Sequence, residues 1–282
     1  LRRRQRVPMV MDWCDWFGRG GSVEERPNPL VRAALRPVET LFEEAPRPWA
    51  DATTVINTVL RQKAIDLGVQ SERILLLPNG SNVDDIHPGD RTEARRELGL
   101  PLDRRFLAYT GAIFWRDAQL MAAAFDRIYA ARPDVRLLLI GYCSVRLEEL
   151  VKVPEAVVRT GPVSYRTLAN YLSASDLTWL PLRNSGANRG RSPLKLNDYL
   201  AAGRAVVATD VGDLGDLLRQ EPIGCLVPDE PDALAKAVLV LLDNPRRLER
   251  MGKHARHLAE TELAWEHSAD RLESFYYRVL EA

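Results

Sequence analysis

From Arg105 onward, short apolar runs alternate with longer amphipathic ones, the pattern of βα units built around a parallel sheet. The apolar runs predict strands at 106–110, 135–140, 156–159, 177–180, 205–209 and 224–227. The amphipathic stretches predict helices at 118–132, 165–174, 193–202, 214–219 and 232–243. Upstream, the same reading gives strands at 7–11, 53–56 and 73–77, with helices near 31–44 and 58–67. Pro78-Asn79-Gly80 is a turn signal, and His87-Pro88-Gly89-Asp90 breaks the pattern. The expected organisation is therefore a partial N-terminal domain at 1–88, a linker at 89–104, a second α/β domain at 105–262 and a C-terminal helix at 263–282. In that helix Trp265, Ala269, Leu272, Phe275, Tyr276 and Leu280 share one apolar stripe, expected to pack back towards the N-terminal domain.

Composition adds exclusions. At 282 residues, with 46% hydrophobic and 28% charged positions, the chain has material for about two ordinary cores. Lysine plus arginine equals aspartate plus glutamate at 39 each, so no global field favours nucleic acid, and any anion site must be local. Cys14, Cys143 and Cys225 are widely spaced, against a disulfide framework or zinc site and in favour of a reducing compartment. His254 and His257 lie in a solvated basic run, and no metal ligands are expected. The chain opens on Leu1 and runs straight into an apolar segment, from which an incomplete N-terminal domain is expected.

Several predicted strands end in glycine, at Gly111, Gly141, Gly161 and Gly212. At the carboxyl edge of a parallel sheet a glycine lets backbone approach a ligand, or else simply closes a tight turn. The most informative stretch follows Asn184 to Arg191 and reads GRSPLKLNDYLAAGRAVVAT from Gly190. Ser192 is a helix cap and Pro193 a first helical residue, so free amides near Leu194 and Lys195 would meet an anion at the positive end of the dipole. Arg191 and Lys195 add charge, and Asp198 stands one turn beyond Lys195, where a carboxylate could read ribose hydroxyls. The plainer account is an exposed i,i+3 pair worth roughly 0.3 kcal/mol.

The segment from Ser192 to Gly203, followed by Ala205 to Thr209, resembles the donor domain of retaining GT-B glycosyltransferases of family four. The likeness extends to Leu76-Leu77-Pro78-Asn79-Gly80, Gly161-Pro162-Val163, Ala174-Ser175-Asp176-Leu177 and the tryptophan-led last helix. It implies an α/β GT-B fold of two Rossmann-like domains with parallel sheets, the first of them incomplete and on the acceptor side. It also implies transfer, with retained configuration, from a nucleoside-diphosphate sugar used as substrate, with no other cofactor. The acceptor is left open between a sugar, a lipid-linked molecule and a small molecule. By the same resemblance Pro193, Leu194 and Lys195 cradle the diphosphate, Asp198 takes the ribose, and backbone at Gly161 and Val163 faces the base, beside Gly111. The setting implied is bacterial envelope polysaccharide assembly in the cytoplasm, with peripheral contact at the inner face of the membrane.

The sequence also departs from the family pattern. No arginine directly follows Gly111, and Arg116 is the nearby substitute, so the catalytic candidates are Arg116, Lys195 and Asp15. The first carboxylate of the usual acidic pair would fall eight residues before Asp198, where Gly190 stands, leaving Asn188 or another polar group in Asn184 to Arg189 to serve the donor sugar. Cys14 occupies the place of a histidine. Asp15 and Arg19 then line the acceptor site, or Trp13 and Trp16 pack and the segment is an ordinary loop. The competing functional class is a nucleotide-sugar-binding module without turnover. An NAD-type Rossmann enzyme is disfavoured because no GxGxxG follows the first strand of either domain.

Overall fold

The computed structural model describes residues 7–281. The chain divides into two compact units. The first holds the chain up to Gly80, the loop Ser185–Pro193 and the chain from Trp265 onward. Its elements are β1 (Val10–Trp13), α1 (Pro29–Glu44), β2 (Ala52–Val55), α2 (Thr58–Asp66) and β3 (Ile74–Leu76). The strands form a parallel sheet in the order β1-β2-β3, with Val10–Trp13 opposite Ala52–Val55. The first strand begins three residues later than its expected start at Val7, because Pro8 has no N–H to give a ladder.

Trp13 is buried with Val55, Leu60, Ala64 and Ile74. Its indole N–H donates to the buried carboxylate of Glu43 at 2.8 Å. That carboxylate also accepts from the amides of Phe17 (2.8 Å) and Gly18 (2.6 Å), so one buried acid on α1 shapes the loop after β1. The C-terminal helix, Trp265–Glu281, belongs to this unit. Its tryptophan lies against Gly80, and Arg271 donates to the Leu76 carbonyl at 2.5 Å.

The second unit, Ser81–Asn184 with Leu194–Ala264, starts earlier than expected. The proposed linker 89–104 is instead part of it and contains the helix α3 (Arg91–Glu97). Asp90 caps that helix through the Glu93 amide at 2.8 Å. There follow β4 (Arg105–Thr110), α4 (Trp115–Ala131), β5 (Val135–Ile140), β6 (Val157–Arg159), α5 (Tyr165–Ala174) and β7 (Leu177–Leu180). After the loop held by the first unit come α6 (Leu194–Ala201), β8 (Val206–Thr209), α7 (Gly212–Gln220), β9 (Gly224–Val227), α8 (Pro231–Leu242) and α9 (Pro245–Thr261).

All six strands are parallel, in the order β6-β5-β4-β7-β8-β9. Central strands buried on both faces need near-continuous apolar sequence, which Phe106–Tyr109 and Leu137–Ile140 supply. The chain winds outward through β5 and β6, then returns to the far side of β4 with β7. The strand order therefore reverses between β4 and β7, and ligands of such sheets bind outside the carboxyl ends at that point.

At the opposite end of β7, Asp176 ties α3 to the sheet. Its side chain, 2% exposed, accepts from Arg95 at 2.6 Å, from the Phe106 amide at 2.7 Å and from Arg105 at 3.0 Å. Removing the acid would leave the Arg95 guanidinium buried without its counter-ion. Asp176→Ala is expected to cost about 3 kcal/mol in urea or thermal unfolding. Pairing it with Arg95→Met should recover part of that loss in a double-mutant cycle.

Candidate functional site

The second unit carries a pocket of about 260 Å³ at the carboxyl edge of its sheet. Its floor is backbone. β4, β5 and β6 run on into Gly111, Gly141 and Gly161, with φ of 72°, 82° and 69°. In this left-handed region a side chain would be strained, and a Cβ at Gly111 or Gly161 would point into open space, while one at Gly141 would meet only the Gly111 amide nitrogen at 4.0 Å. The Gly111 amide continues the ladder to the Ile140 carbonyl at 2.9 Å, and the Gly141 amide donates to Thr160 Oγ1 at 3.0 Å. Gly111 and Gly141 line the pocket, and Gly161 is bridged to Gly141. Gly212, the fourth of the strand-end glycines, opens α7 and is not among the lining residues.

One wall is α6, which presents Lys195 and Asp198 to the pocket one helical turn apart. Lys195 Nζ donates to the Tyr109 hydroxyl at 2.6 Å and to the Ala112 carbonyl at 2.8 Å, lying 4.0 Å from the Tyr109 ring centroid. The ammonium is thus fixed at the strand edge. The facing wall is the start of α5, with Val163, Ser164, Tyr165 and Leu168. Ser164 caps α5 through the Thr167 amide at 3.1 Å. The Tyr165 hydroxyl donates to Asp198 Oδ1 at 2.8 Å. Behind α6, the buried Tyr199 hydroxyl accepts from the Thr110 amide at 2.9 Å and pins the end of β4.

Burial raises the Asp198 carboxyl pKa, while the Tyr165 hydrogen bond and the Lys195 charge lower it. The same burial, with the adjacent Asp198 charge, pushes the Tyr165 hydroxyl upward, so it stays a proton donor. Asp198 is therefore a partly desolvated acceptor facing a pocket, a state that new hydroxyl donors would relieve.

Not every expected residue is in this pocket. Gly111, Val163, Lys195 and Asp198 line it. Leu194 starts α6 but is 52% exposed and does not line it. Arg116 is exposed in the first turn of α4, also outside the lining. The helix expected from Pro193 begins at Leu194, and Asn79 Nδ2 donates to the Ser192 carbonyl at 2.8 Å. Asn188, Arg191, Ser192 and Pro193, expected with the donor residues, belong to the first unit.

In that unit Arg191 acts on Asp15. Burial raises the pKa of the Asp15 carboxyl, Arg191 lowers it and Glu43 raises it. Asn188 is buried and Cys14 exposed. A Cβ at Gly190 would collide with the Trp16 Cβ, so the position where the family places a carboxylate is closed to any side chain. Trp13 is a core residue. Tyr109, Ser164 and Tyr165 escaped sequence reasoning. Tyr165 directly follows the Gly161-Pro162-Val163 motif and a helix cap, a signal that was available.

The fold is that of GT-B proteins, an α/β class with parallel sheets. Sucrose-phosphate synthase from Thermosynechococcus elongatus superposes with a TM-score of 0.76 at 22% identity, over 99% of this chain and 70% of that one. Anabaena Alr3699/HepE, solved in complex with UDP and glucose, gives 0.71 at 14% identity, over 98% and 73%. In sequence, the family glycosyl transferases group 1 matches residues 104–244, and the chain belongs to that family. The D-inositol 3-phosphate glycosyltransferase of Thermobispora bispora is 31% identical over 278 residues, 91% of this chain and 61% of the relative. That of Mycobacterium tuberculosis is 30% identical over 259 residues, 86% and 52%. The chain thus spans 61% and 52% of the length of these curated relatives.

The raised Asp198 carboxyl yields a prediction with a definite sign. A folded pKa above the unfolded one means that folding favours the protonated form. That contribution is full at low pH and is lost as pH rises through the raised value, so ionised Asp198 is a cost at neutrality. Asp198→Asn should therefore melt at a higher temperature than wild type at pH 7, with the gap narrowing on acidification towards pH 4. An unchanged or lower melting point at pH 7 would contradict the desolvation argument.

Proposed function

We propose that this chain carries the donor-binding half of a retaining glycosyltransferase that uses a nucleoside-diphosphate sugar. The observation that carries the reading is the pocket where a fixed ammonium, Lys195, and a desolvated carboxylate, Asp198, face a glycine floor at the strand-order reversal. A nucleoside diphosphate offers complementary chemistry: a ribose diol to donate to Asp198, a diphosphate for Lys195, and a base to lie along the backbone from Gly161 to Val163. The UDP bound in a structural neighbour makes uridine the first nucleoside to try. The relatives' name makes a small phosphorylated polyol the first acceptor to try.

As the glycosidic bond breaks, its electron pair goes to the diphosphate oxygen, where negative charge develops. A positioned ammonium stabilises that charge more than it stabilises the ground state. The acceptor hydroxyl oxygen bonds the anomeric carbon on the face the diphosphate leaves, and its proton passes to the departing diphosphate oxygen. In the first unit, we assign Asp15 to the acceptor side of the reaction. Arg116 supplies charge only if it turns inward from its exposed position, so Lys195 bears the larger share. Envelope polysaccharide assembly on the cytoplasmic side, with peripheral contact at the inner face of the membrane, is the setting that the family resemblance supports. No helix among the described residues is long and apolar enough to cross a membrane.

A second reading, a donor-binding module without turnover, draws on two observations: Gly190 closed off by Trp16, and Cys14 in place of a histidine. Titration calorimetry with UDP, GDP and ADP tests what both readings share. One diphosphate should bind, and Lys195→Ala and Asp198→Ala should each weaken it about tenfold or more. A folded chain that binds none of the three would remove the donor-site reading. Incubation with the matching sugar nucleotide and acceptor then separates the two. NMR of a product with retained anomeric configuration supports the enzyme, an inverted product rejects the retaining mechanism, and binding without product supports the module.

A further inference from the structure

A larger cavity, about 570 Å³, lies at the opposite edge of the six-stranded sheet, where β7 and β8 begin. Asp176 and Arg204 line it just before those strands, together with Arg91 and the first turns of α9. Its lining is strongly basic: Arg91, Arg204, Arg246, Lys253 and Arg256 face only Asp176 and Glu249. The two acids are already engaged. Asp176 holds Arg95 and Arg105 and has Arg91 at 3.5 Å. Glu249 pairs with Lys253 at 2.7 Å on the surface. Arg256 is satisfied by Glu260 and by the carbonyls of Val83, Ile86 and Ala201.

Arg204 is the exception. It is 8% exposed, and among the described residues its hydrogen bonds reach only the carbonyls of Ser173 (2.8 Å) and Gly89 (3.4 Å) while its Nε has no partner. A guanidinium this deeply buried without a carboxylate is costly, and its fork geometry suits a tetrahedral oxyanion. Desolvation and the neighbouring Arg91 hold its pKa down to about 10, as expected for positive charge in excess of its partners. The positive end of the 17-residue α9 adds to the same field.

We propose that this basic cavity is an anion site that receives the phosphate group of a phosphorylated metabolite, distinct from the donor pocket at the other edge of the sheet. The phosphate would sit against Arg204 and Arg91, with Arg246 and Lys253 at the rim. The same group could be presented on a soluble ester or on a lipid headgroup, and the experiment separates these sources.

The full chain is titrated with inorganic phosphate at constant ionic strength, with chloride as the control, while the arginine Nε–H signals are followed by NMR. Arg204→Lys identifies the Arg204 signal. That signal should shift saturably with phosphate and not with chloride. The rim variant Arg246→Glu with Lys253→Glu, both exposed positions, should weaken phosphate by about tenfold. Lys195→Ala should leave it unchanged. A parallel arm sediments the chain with phosphatidylglycerol or phosphatidylcholine vesicles. Vesicle binding that needs the anionic lipid and is lost in the rim variant assigns the phosphate to a headgroup, and a response to free phosphate alone assigns it to a soluble ester. The site is overturned if neither arm responds, or if phosphate binding survives the rim variant and disappears with Lys195→Ala.

Discussion

The candidate donor pocket depends on a backbone constraint: three adjacent parallel strands must each turn out of the sheet at the same edge through a residue with positive φ. Gly111, Gly141 and Gly161 meet that constraint, and because none carries a side chain the edge is left open. The open floor lets α6 and α5 stand as walls, with Lys195 and Asp198 on one and Tyr165 on the other. The electrostatics follow from that placement. Asp198 is partly withdrawn from water because it faces a pocket, and Tyr165 and Lys195 keep it able to ionise.

Much of the second unit was legible in the sequence because its central strands are buried on both faces and so read as unbroken apolar runs. Helices on the surface were harder. The signals for α3, Asp90 three residues before Glu93, lie inside the expected linker, which follows the break in pattern at His87-Pro88-Gly89-Asp90. For α9, Asn244-Pro245 marked the start, and Leu248, Met251, Ala255 and Leu258 gave helical spacing amid many charges. In both cases a local cap was the better guide than average polarity.

Within the site, Lys195 and Asp198 were readable because a helix fixes their spacing. Their partners were not, since Tyr165 is 33 residues from Asp198 and Tyr109 is 86 from Lys195 in the chain. The loop Ser185–Pro193, expected with the second domain, groups with the first unit, since proximity in sequence to α6 does not decide which unit holds a segment. Its Gly186 and Gly190 pack against Gly20 and Trp16, contacts invisible to any local pattern. The same packing gives a physical reason for the missing carboxylate at Gly190, which the sequence presents only as an absence.

In the proposed function, the pocket at the glycine edge holds a nucleoside diphosphate through Asp198 and Lys195. Crystallography of the chain grown with UDP tests it most directly. Both ribose hydroxyls should lie within hydrogen-bond distance of the Asp198 carboxylate, the diphosphate against Lys195, and uracil along Gly161 to Val163. UDP lodged elsewhere, with Asp198 still joined only to Tyr165, would contradict it.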